Sequence, residues 1–128
     1  KEAFAVRNRL RHEALPLFND IFSRDPIPSL LRAEEHDREL RDLVQSQLDQ
    51  LSPLDPQGRL HLPTLQELPR ALQRQLLHNY LCDHNIHDLS WDLISRAIDL
   101  LETESSPALA LPGGLRLRRR QSRIFISP

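Results

Sequence analysis

Two groups of arginine residues have the types and spacing that could bind an anion. The first lies in the run Arg7-Asn8-Arg9-Leu10-Arg11-His12 near the start of the chain. On a helix, Arg7 and Arg11 lie one turn apart on one face, where like charges repel each other by roughly a few tenths of a kcal/mol. A phosphate or a carboxylate ligand would relieve this repulsion, as would an acidic side chain elsewhere in the fold. Arg9 differs, because Glu13 follows it at i+4 and can form a surface ion pair with it.

Asn8 and His12 share a second face of the same predicted helix. Both side chains can donate hydrogen bonds to a phosphate or to the edge of a base. Arg7, Asn8, Arg11 and His12 therefore form the first candidate binding site. The alternative is a set of solvated surface side chains with no ligand.

The second group is Arg116-Leu117-Arg118-Arg119-Arg120, in a segment that alternates leucine with other residues. Alternation by two predicts a strand on which Arg116 and Arg118 point to the face opposite Leu117. Arg119, Arg120 and Arg123 are expected to cluster at the following turn. This density of charge predicts contact with an RNA backbone, although Phe125 is the only nearby aromatic residue that could stack on a base. A charged sheet face that prevents edge-to-edge association is the alternative.

Other chemistries find little support in the sequence. His78 and Cys82 have a spacing of one helical turn, which suits metal ligands, but no second pair of ligands accompanies them, so we expect no metal site. No Gly-x-Ser-x-Gly motif marks a nucleophile. The glycines are Gly58, Gly113 and Gly114, none of which is followed by a predicted helix, so we expect neither a phosphate-binding loop nor a catalytic residue in this chain.

Composition sets the broad class of protein. The formal net charge is −1, yet residues 1–24 carry five basic and three acidic side chains, and residues 105–128 carry five arginines and no acid. Basic ends around an acidic middle can indicate a phosphate-facing edge. A single cysteine fits the reducing cytoplasm. No apolar run approaches the roughly 18 residues of a membrane span, no signal peptide is evident, and the start at Lys1 suggests an excised fragment.

Apolar spacing predicts about four helices. The first covers residues 2–22, with a kink or break near Leu15 caused by Pro16. Residues 23–28 are predicted to be a stiff, non-helical connector. The second helix covers residues 29–51, and the third runs from Pro69 to residues 84–85. Asp88 or Ser90 caps the fourth, on which four residues share a face, namely Trp91, Ile94, Ile98 and Leu101.

The remaining segments predict a small sheet. Residues 58–62 alternate polar and apolar side chains, as in a short half-buried strand, and Thr64 is a plausible N-cap for the short turn that follows. Alternation from Leu109 to Ile126 predicts a C-terminal antiparallel meander, with a type II turn at residues 111–114. The strand at Leu60 could join it. The fold class is therefore α+β, mostly helical with a small C-terminal sheet.

Together these motifs resemble one family. Residues 7–17, RNRLRHEALPL, are similar to the Arg-Asn-x-x-Arg-His segment, followed by proline and leucine, that closes the catalytic domain of bacterial tRNA(Ile)-lysidine synthases. The run from Leu65 to Arg74 resembles the middle domain of that family. The ending ALPGGL at residues 110–115, followed by the arginine-rich strand, also fits. The resemblance covers nearly the whole chain.

The resemblance implies a division into residues 1–24, which would close an N-terminal catalytic domain missing here, and residues 25–128, a middle substrate-recognition domain. It implies an ATP-dependent ligase that converts the wobble cytidine of an isoleucine tRNA, with a CAU anticodon, to lysidine. ATP and magnesium would belong to the full-length enzyme, which could also form a homodimer. The fragment lacks the family's ATP-binding loop, so we expect it to be inactive alone. No membrane is implied.

The resemblance also suggests which residues meet the substrates. It implies that Arg7, Asn8, Arg11 and His12 lie beside the catalytic cleft. The charge of the second group makes Arg116, Arg118, Arg119 and Arg120 the other candidate tRNA contacts. Two alternatives remain open from the residues themselves. One is a non-catalytic helical module that binds proteins through its leucine-rich faces. The other is a metal-binding module centred on Cys82.

Overall fold

The structure, a computed structural model, describes the backbone of residues 2–102 and 104–128, with side chains from Phe4 onward. The chain divides into two compact units, one that ends at Asp42 and one that runs from Leu43 to Pro128. Their helices and strands confirm the predicted α+β class. None of the described helices is both long and apolar enough to cross a membrane.

The first unit begins with a helix that changes its winding along its length. Helix α1 covers Glu2–Arg9, a π-helical stretch covers Leu10–Ala14, and α2 covers Leu15–Phe22. The Leu15 N–H donates to the carbonyl of Leu10, five residues back. In a regular α-helix the ring of Pro16 would clash with the carbonyl four residues before it, and a wider turn relieves that clash. The predicted kink or break near Leu15 is therefore a π-helical stretch inside a continuous helix.

Helix α3 covers Ile27–Leu48, which is earlier at both ends than predicted. The Asp25 carboxylate accepts a hydrogen bond from the Ile27 N–H at 3.0 Å, and the Leu30 N–H donates to the carbonyl of Pro26 at 3.1 Å. Pro28 thus lies in the first turn, where its missing N–H leaves no bond unmade. The prediction that the connector excludes helix up to residue 28 is wrong for this reason.

The second unit holds the remaining helices. Its helices are α4, Leu62–Glu67, α5, Arg70–Asp83, and α6, Trp91–Asp99. Ser90 caps α6, as predicted, because its hydroxyl accepts a hydrogen bond from the Leu93 N–H at 3.1 Å. Thr64 does not cap a helix: it lies inside α4, where its hydroxyl is 2.7 Å from Nδ1 of His61.

A four-stranded antiparallel sheet completes this unit. Its strands are β1, Leu60–His61, β2, Ala108–Ala110, β3, Arg116–Arg120, and β4, Arg123–Ser127, in the order β1-β4-β3-β2. The pairing of Leu60 with Ile124 confirms that the early strand joins the meander. Gly113 has φ 75° and ψ 15°, the conformation of the third position of a type II turn. Gln121 and Ser122 both have positive φ, as in a type I′ hairpin loop.

The apolar core lies within the second unit. Every buried apolar side chain of the described chain comes from residues 48–124. Leu117 and Ile124 bring the inner face of the sheet into this core, where they join Leu77, Leu81 and Ile98 of helices α5 and α6. In the first unit none of the described side chains is buried, so the large apolar side chains of its helices remain exposed.

Candidate nucleic-acid interface

Strand β3 sorts its arginines between two faces of the sheet. Leu117 is fully buried, whereas Arg116, Arg118 and Arg120 are exposed. Since side chains alternate along a strand, these three share the outer face. We call Arg116, Arg118, Arg120 and the neighbouring Phe125 the arginine face. The predicted outward direction of Arg116 and Arg118 is confirmed.

Strand register determines what surrounds these side chains. Arg118 lies between Ala108 of β2 and Phe125 of β4, and Arg116 lies between Ala110 and Ser127. The small neighbours on β2 leave space beside the long arginine side chains. Arg118, Arg119, Arg120 and Phe125 line an open groove of about 340 Å³, together with Pro107, Ala108 and Ser127.

The arginine face carries positive charge without internal compensation. Within the described part of the chain, Arg116, Arg118 and Arg120 make no side-chain hydrogen bond or ion pair. Strands β2, β3 and β4 contain no acidic residue. Like charges on neighbouring positions of one sheet face destabilise each other, and an anion bound between them would relieve that repulsion. The face is therefore suited to phosphate groups.

Arg119 points the opposite way. Its guanidinium donates to the carbonyl of Leu100 at 2.9 Å, to the carbonyl of Ser105 at 2.9 Å, and also to the carbonyl of Glu102. These acceptors lie at and beyond the C-terminus of α6, where carbonyls lack partners within the helix. Arg119 thus ties strand β3 to the end of that helix. The predicted cluster of Arg119, Arg120 and Arg123 at the turn is wrong for Arg119, which the alternation of the strand sends to the opposite face, whereas Arg120 and Arg123 are cross-strand partners beside the turn.

Arg123 also has a hydrogen-bond partner within the fold. Its Nε donates to the Asp55 carboxylate at 3.1 Å, and the same carboxylate accepts hydrogen bonds from the backbone N–H groups of Gln57 and Arg59 and from the Arg59 side chain. Burial alone would raise the pKa of Asp55, but these hydrogen bonds outweigh it and lower the pKa from 3.8 to about 2. Asp55 therefore stays ionised and holds β4 to the loop before β1.

The N-terminal candidates lie in the other compact unit. Arg7 and Asn8 belong to α1, Arg11 and His12 belong to the π-helical stretch, and all four side chains are exposed. The predicted ion pair between Arg9 and Glu13 forms at 3.1 Å. Among the described side chains, neither Arg7 nor Arg11 has an acidic partner. Single π-helical turns occur frequently at functional sites, so the π-helical stretch supports this segment as a candidate site.

The residues of the metal hypothesis do not converge. Nδ1 of His78 lies 3.8 Å from the Cys82 sulfur, but His84 instead contacts the carbonyl of Tyr80 at 2.8 Å. Among residues 2–102 and 104–128, no three histidine, cysteine or acidic side chains come together as a metal ion would need. The cysteine is half-buried on α5.

Sequence reasoning missed one exposed aromatic site. Trp91 was expected on the face that carries Ile94 and Ile98, yet its side chain is 72% exposed while those two are buried. It occupies the first position of α6, beyond the region where that helix packs in the core, and the guanidinium carbon of Arg74 lies 3.8 Å from its ring centroid. The partner comes from a different helix, so no spacing in the sequence could have indicated it.

Comparisons with known proteins agree on one family. The family described as TilS substrate binding domain matches residues 60–125. The chain is 31% identical over 118 residues to a tRNA(Ile)-lysidine synthase of Thermosynechococcus vestitus, and 23% identical over 114 residues to one of Chlorobaculum tepidum. These matches cover 88% and 85% of this chain but 34% of each relative, so the chain spans about a third of their length. The family match runs from β1 into β4 and contains the arginine face.

Proposed function

The chain belongs to the TilS substrate-binding domain family, and on that premise we propose that it recognises tRNA for a tRNA(Ile)-lysidine synthase. The whole enzyme would use ATP to join lysine to the wobble cytidine of an isoleucine tRNA. One observation carries the proposal: the segment that matches the family is the segment that builds the arginine face. An exposed, uncompensated positive surface in a substrate-binding domain is suited to a polyanionic substrate.

The chemistry of the arginine face assigns it a positioning role. Guanidinium groups bind phosphate oxygens through paired, charge-assisted hydrogen bonds. Contacts to the phosphate backbone fix the register and orientation of a nucleic acid but carry no sequence information. We therefore expect Arg116, Arg118 and Arg120 to raise the affinity for tRNA in general. Arg119 supports the surface from behind and makes no contact with RNA in this scheme.

The N-terminal segment has a different role in the proposal. Residues 1–24 would close the catalytic domain, while residues 25–128 would recognise the substrate. Its helices expose large apolar side chains that such a domain would cover, namely Phe4, Val6, Leu10, Leu17, Ile21 and Phe22. Arg7, Asn8, Arg11 and His12 would then face ATP phosphate, the lysine carboxylate or the tRNA backbone.

Catalysis would be supplied by other parts of the enzyme. A phosphate-binding loop needs glycines that lead into a helix N-terminus, whereas Gly58 precedes β1, and Gly113 and Gly114 precede β3. ATP and magnesium would therefore bind outside this chain, and the chain alone would be inactive. A homodimer of the full-length enzyme is compatible with this arrangement.

Binding of the chain to an isoleucine tRNA with a CAU anticodon tests the proposal. The measurement is made at low and moderate salt, beside an elongator methionine tRNA. Salt-dependent binding that is weakened by Arg116→Gln with Arg118→Gln supports a tRNA-recognition domain, and a preference for the isoleucine tRNA makes it a specificity element. A folded chain that binds neither tRNA contradicts the proposal.

A protein-interaction module is the second candidate, because the helices of the first unit expose large apolar side chains. Apolar contacts depend little on salt, whereas phosphate contacts weaken steeply as salt rises. Binding to the separately expressed catalytic domain, unchanged by salt, together with no affinity for tRNA, would favour this second candidate. Binding to both the catalytic domain and tRNA would fit a chain that contacts the catalytic domain with one surface and tRNA with another.

A further inference from the structure

Trp91 is among the most exposed aromatic residues of the described chain. It is the only tryptophan, and its side chain is 72% exposed at the first position of α6. Tryptophan is large and mostly apolar, so it usually buries much of its surface. Its surroundings are not an extended apolar patch: Ser90, Asp92 and His78 are polar and exposed, and Gln75 is half-buried. An isolated indole among polar groups differs from the apolar centre of a protein interface.

Arg74 fixes this indole from one side. Its guanidinium carbon lies 3.8 Å from the ring centroid, a cation–π contact that costs the ring little of its exposure. The other face of the ring is therefore open to solvent. A planar group that stacked there would complete a three-layer arrangement of guanidinium, indole and ligand.

Arg74 also carries an unsatisfied donor. Its Nη1 is buried, yet it has no hydrogen-bond acceptor among the described residues. A buried donor without an acceptor is costly, and such groups in native structures call for an explanation. Arg74 also lines a recess of about 180 Å³ beside the ring, together with His78 and Ser90. Each of these three side chains can donate a hydrogen bond, and Leu89 and Ile94 add apolar surface, so the recess is suited to a partly apolar ligand that carries an oxygen acceptor.

We propose that Trp91 and Arg74 form a stacking site for an unpaired nucleotide of the bound RNA. The base stacks on the open face of the indole, Arg74 holds the indole from the opposite face, and the phosphate lies in the recess beside the ring, where His78 and Ser90 can donate to it. Aromatic rings and arginine planes are the usual partners of unstacked bases in RNA recognition. This inference rests on the proposed function, since it assumes an RNA partner, but it concerns a site separate from the arginine face.

Intrinsic fluorescence tests the site directly, because Trp91 is the sole source of tryptophan emission. The chain is titrated with a single-stranded RNA of about ten nucleotides and with a fully paired RNA duplex of the same length. The single strand should quench the emission, and the duplex should not. Equal quenching by the two would overturn the proposal, because a base inside a duplex has both faces covered by its stacked neighbours.

Two variants separate stacking from charge. Trp91→Ala should weaken single-strand binding about 5- to 150-fold, the range for loss of one base–aromatic stack, and should leave the salt dependence of binding unchanged. Trp91→Phe should retain most of the affinity because it keeps an aromatic face. Arg74→Gln, which removes the guanidinium that fixes the indole, should abolish most of the quenching. Circular dichroism and thermal melting of each variant check that it remains folded.

The results distinguish this inference from the proposed function. RNA binding that depends on Arg116, Arg118 and Arg120, but that leaves the emission and the Trp91→Ala affinity unchanged, overturns the stacking site and keeps the proposed function. Failure of the folded chain to bind tRNA or either RNA overturns both. Quenching by the single strand that is lost in Arg74→Gln, with the duplex silent, supports the stacking site.

Discussion

Replacing Arg116, Arg118 and Arg120 by glutamine removes three charges from the outer face of the sheet while leaving its core unchanged. All three side chains are exposed, and Leu117 between them carries the packing. Exposed substitutions of this kind usually change stability by no more than about 0.5 kcal/mol each. The triple variant should therefore fold normally, and any loss of tRNA affinity can be assigned to the lost charges.

The expected size of the effect follows from counterion release. Each arginine that neutralises one phosphate adds about −0.7 to −0.9 to the slope of log K against log salt. Three contacts therefore contribute about −2.1 to −2.7 to that slope. Between 50 and 200 mM salt, this part of the affinity falls about 20- to 40-fold. The triple variant should bind tRNA more weakly at low salt. Between 50 and 200 mM salt, its affinity should fall about 20- to 40-fold less than that of the unmodified chain.

Fluorescence anisotropy of an end-labelled tRNA at four salt concentrations gives both slopes. A matched control removes the same number of charges from helix α3, where the arginines already have partners, through Arg32→Gln, Arg38→Gln and Arg41→Gln. The control should keep the slope of the unmodified chain. An unchanged slope in the β3 variant, or an equal reduction in the α3 control, would refute the assignment of phosphate contacts to the arginine face.

Three further predictions concern two side-chain contacts and one turn that support the sheet. Arg119→Ala should lower the free energy of unfolding by about 2–3 kcal/mol in urea denaturation, because it removes charge-assisted hydrogen bonds to carbonyls after α6. The pKa of Asp55 is lowered to about 2, so the folded state binds fewer protons than the unfolded state. The stabilisation contributed by Asp55 is therefore complete above about pH 4 and falls as the pH drops towards 2. This contribution should be missing in Asp55→Asn. Ser122→Gly should raise stability by about 0.5–1 kcal/mol in thermal melts, because glycine adopts a positive φ without strain.

The sheet was largely predictable because its signals are local. Alternation by two places Leu117 inside and Arg116 and Arg118 outside without any knowledge of the partner strands. Proline followed by glycine predicted the turn at residues 111–114. The cap at Ser90 likewise depends only on its own helix. These features could be inferred because each is determined within a few residues along the chain.

What escaped prediction depends on partners that are distant in sequence. Arg119 finds its acceptor on Leu100, 19 residues away, and Arg123 finds Asp55 across 68 residues. From sequence alone, Arg119 and Arg123 could not be distinguished from Arg120 at the turn. The π-helical stretch was missed for a different reason: Pro16 indicates a distortion, but whether a helix kinks, breaks or widens depends on small differences in backbone energy.

Arg119 and Arg123, which have hydrogen-bond partners within the fold, explain how the three exposed arginines can act together. Arg119 fastens β3 to the end of α6, and Arg123, which lies opposite Arg120 on the outer face, fastens β4 through Asp55 to the loop before β1, so both strands that carry the arginine face are held in place. A surface that is already rigid loses less conformational entropy on binding. Loss of the Asp55 contact should therefore weaken tRNA binding without removing any phosphate contact. Asp55→Asn should lower the affinity without reducing the salt slope, a combination that direct loss of a charge contact does not produce.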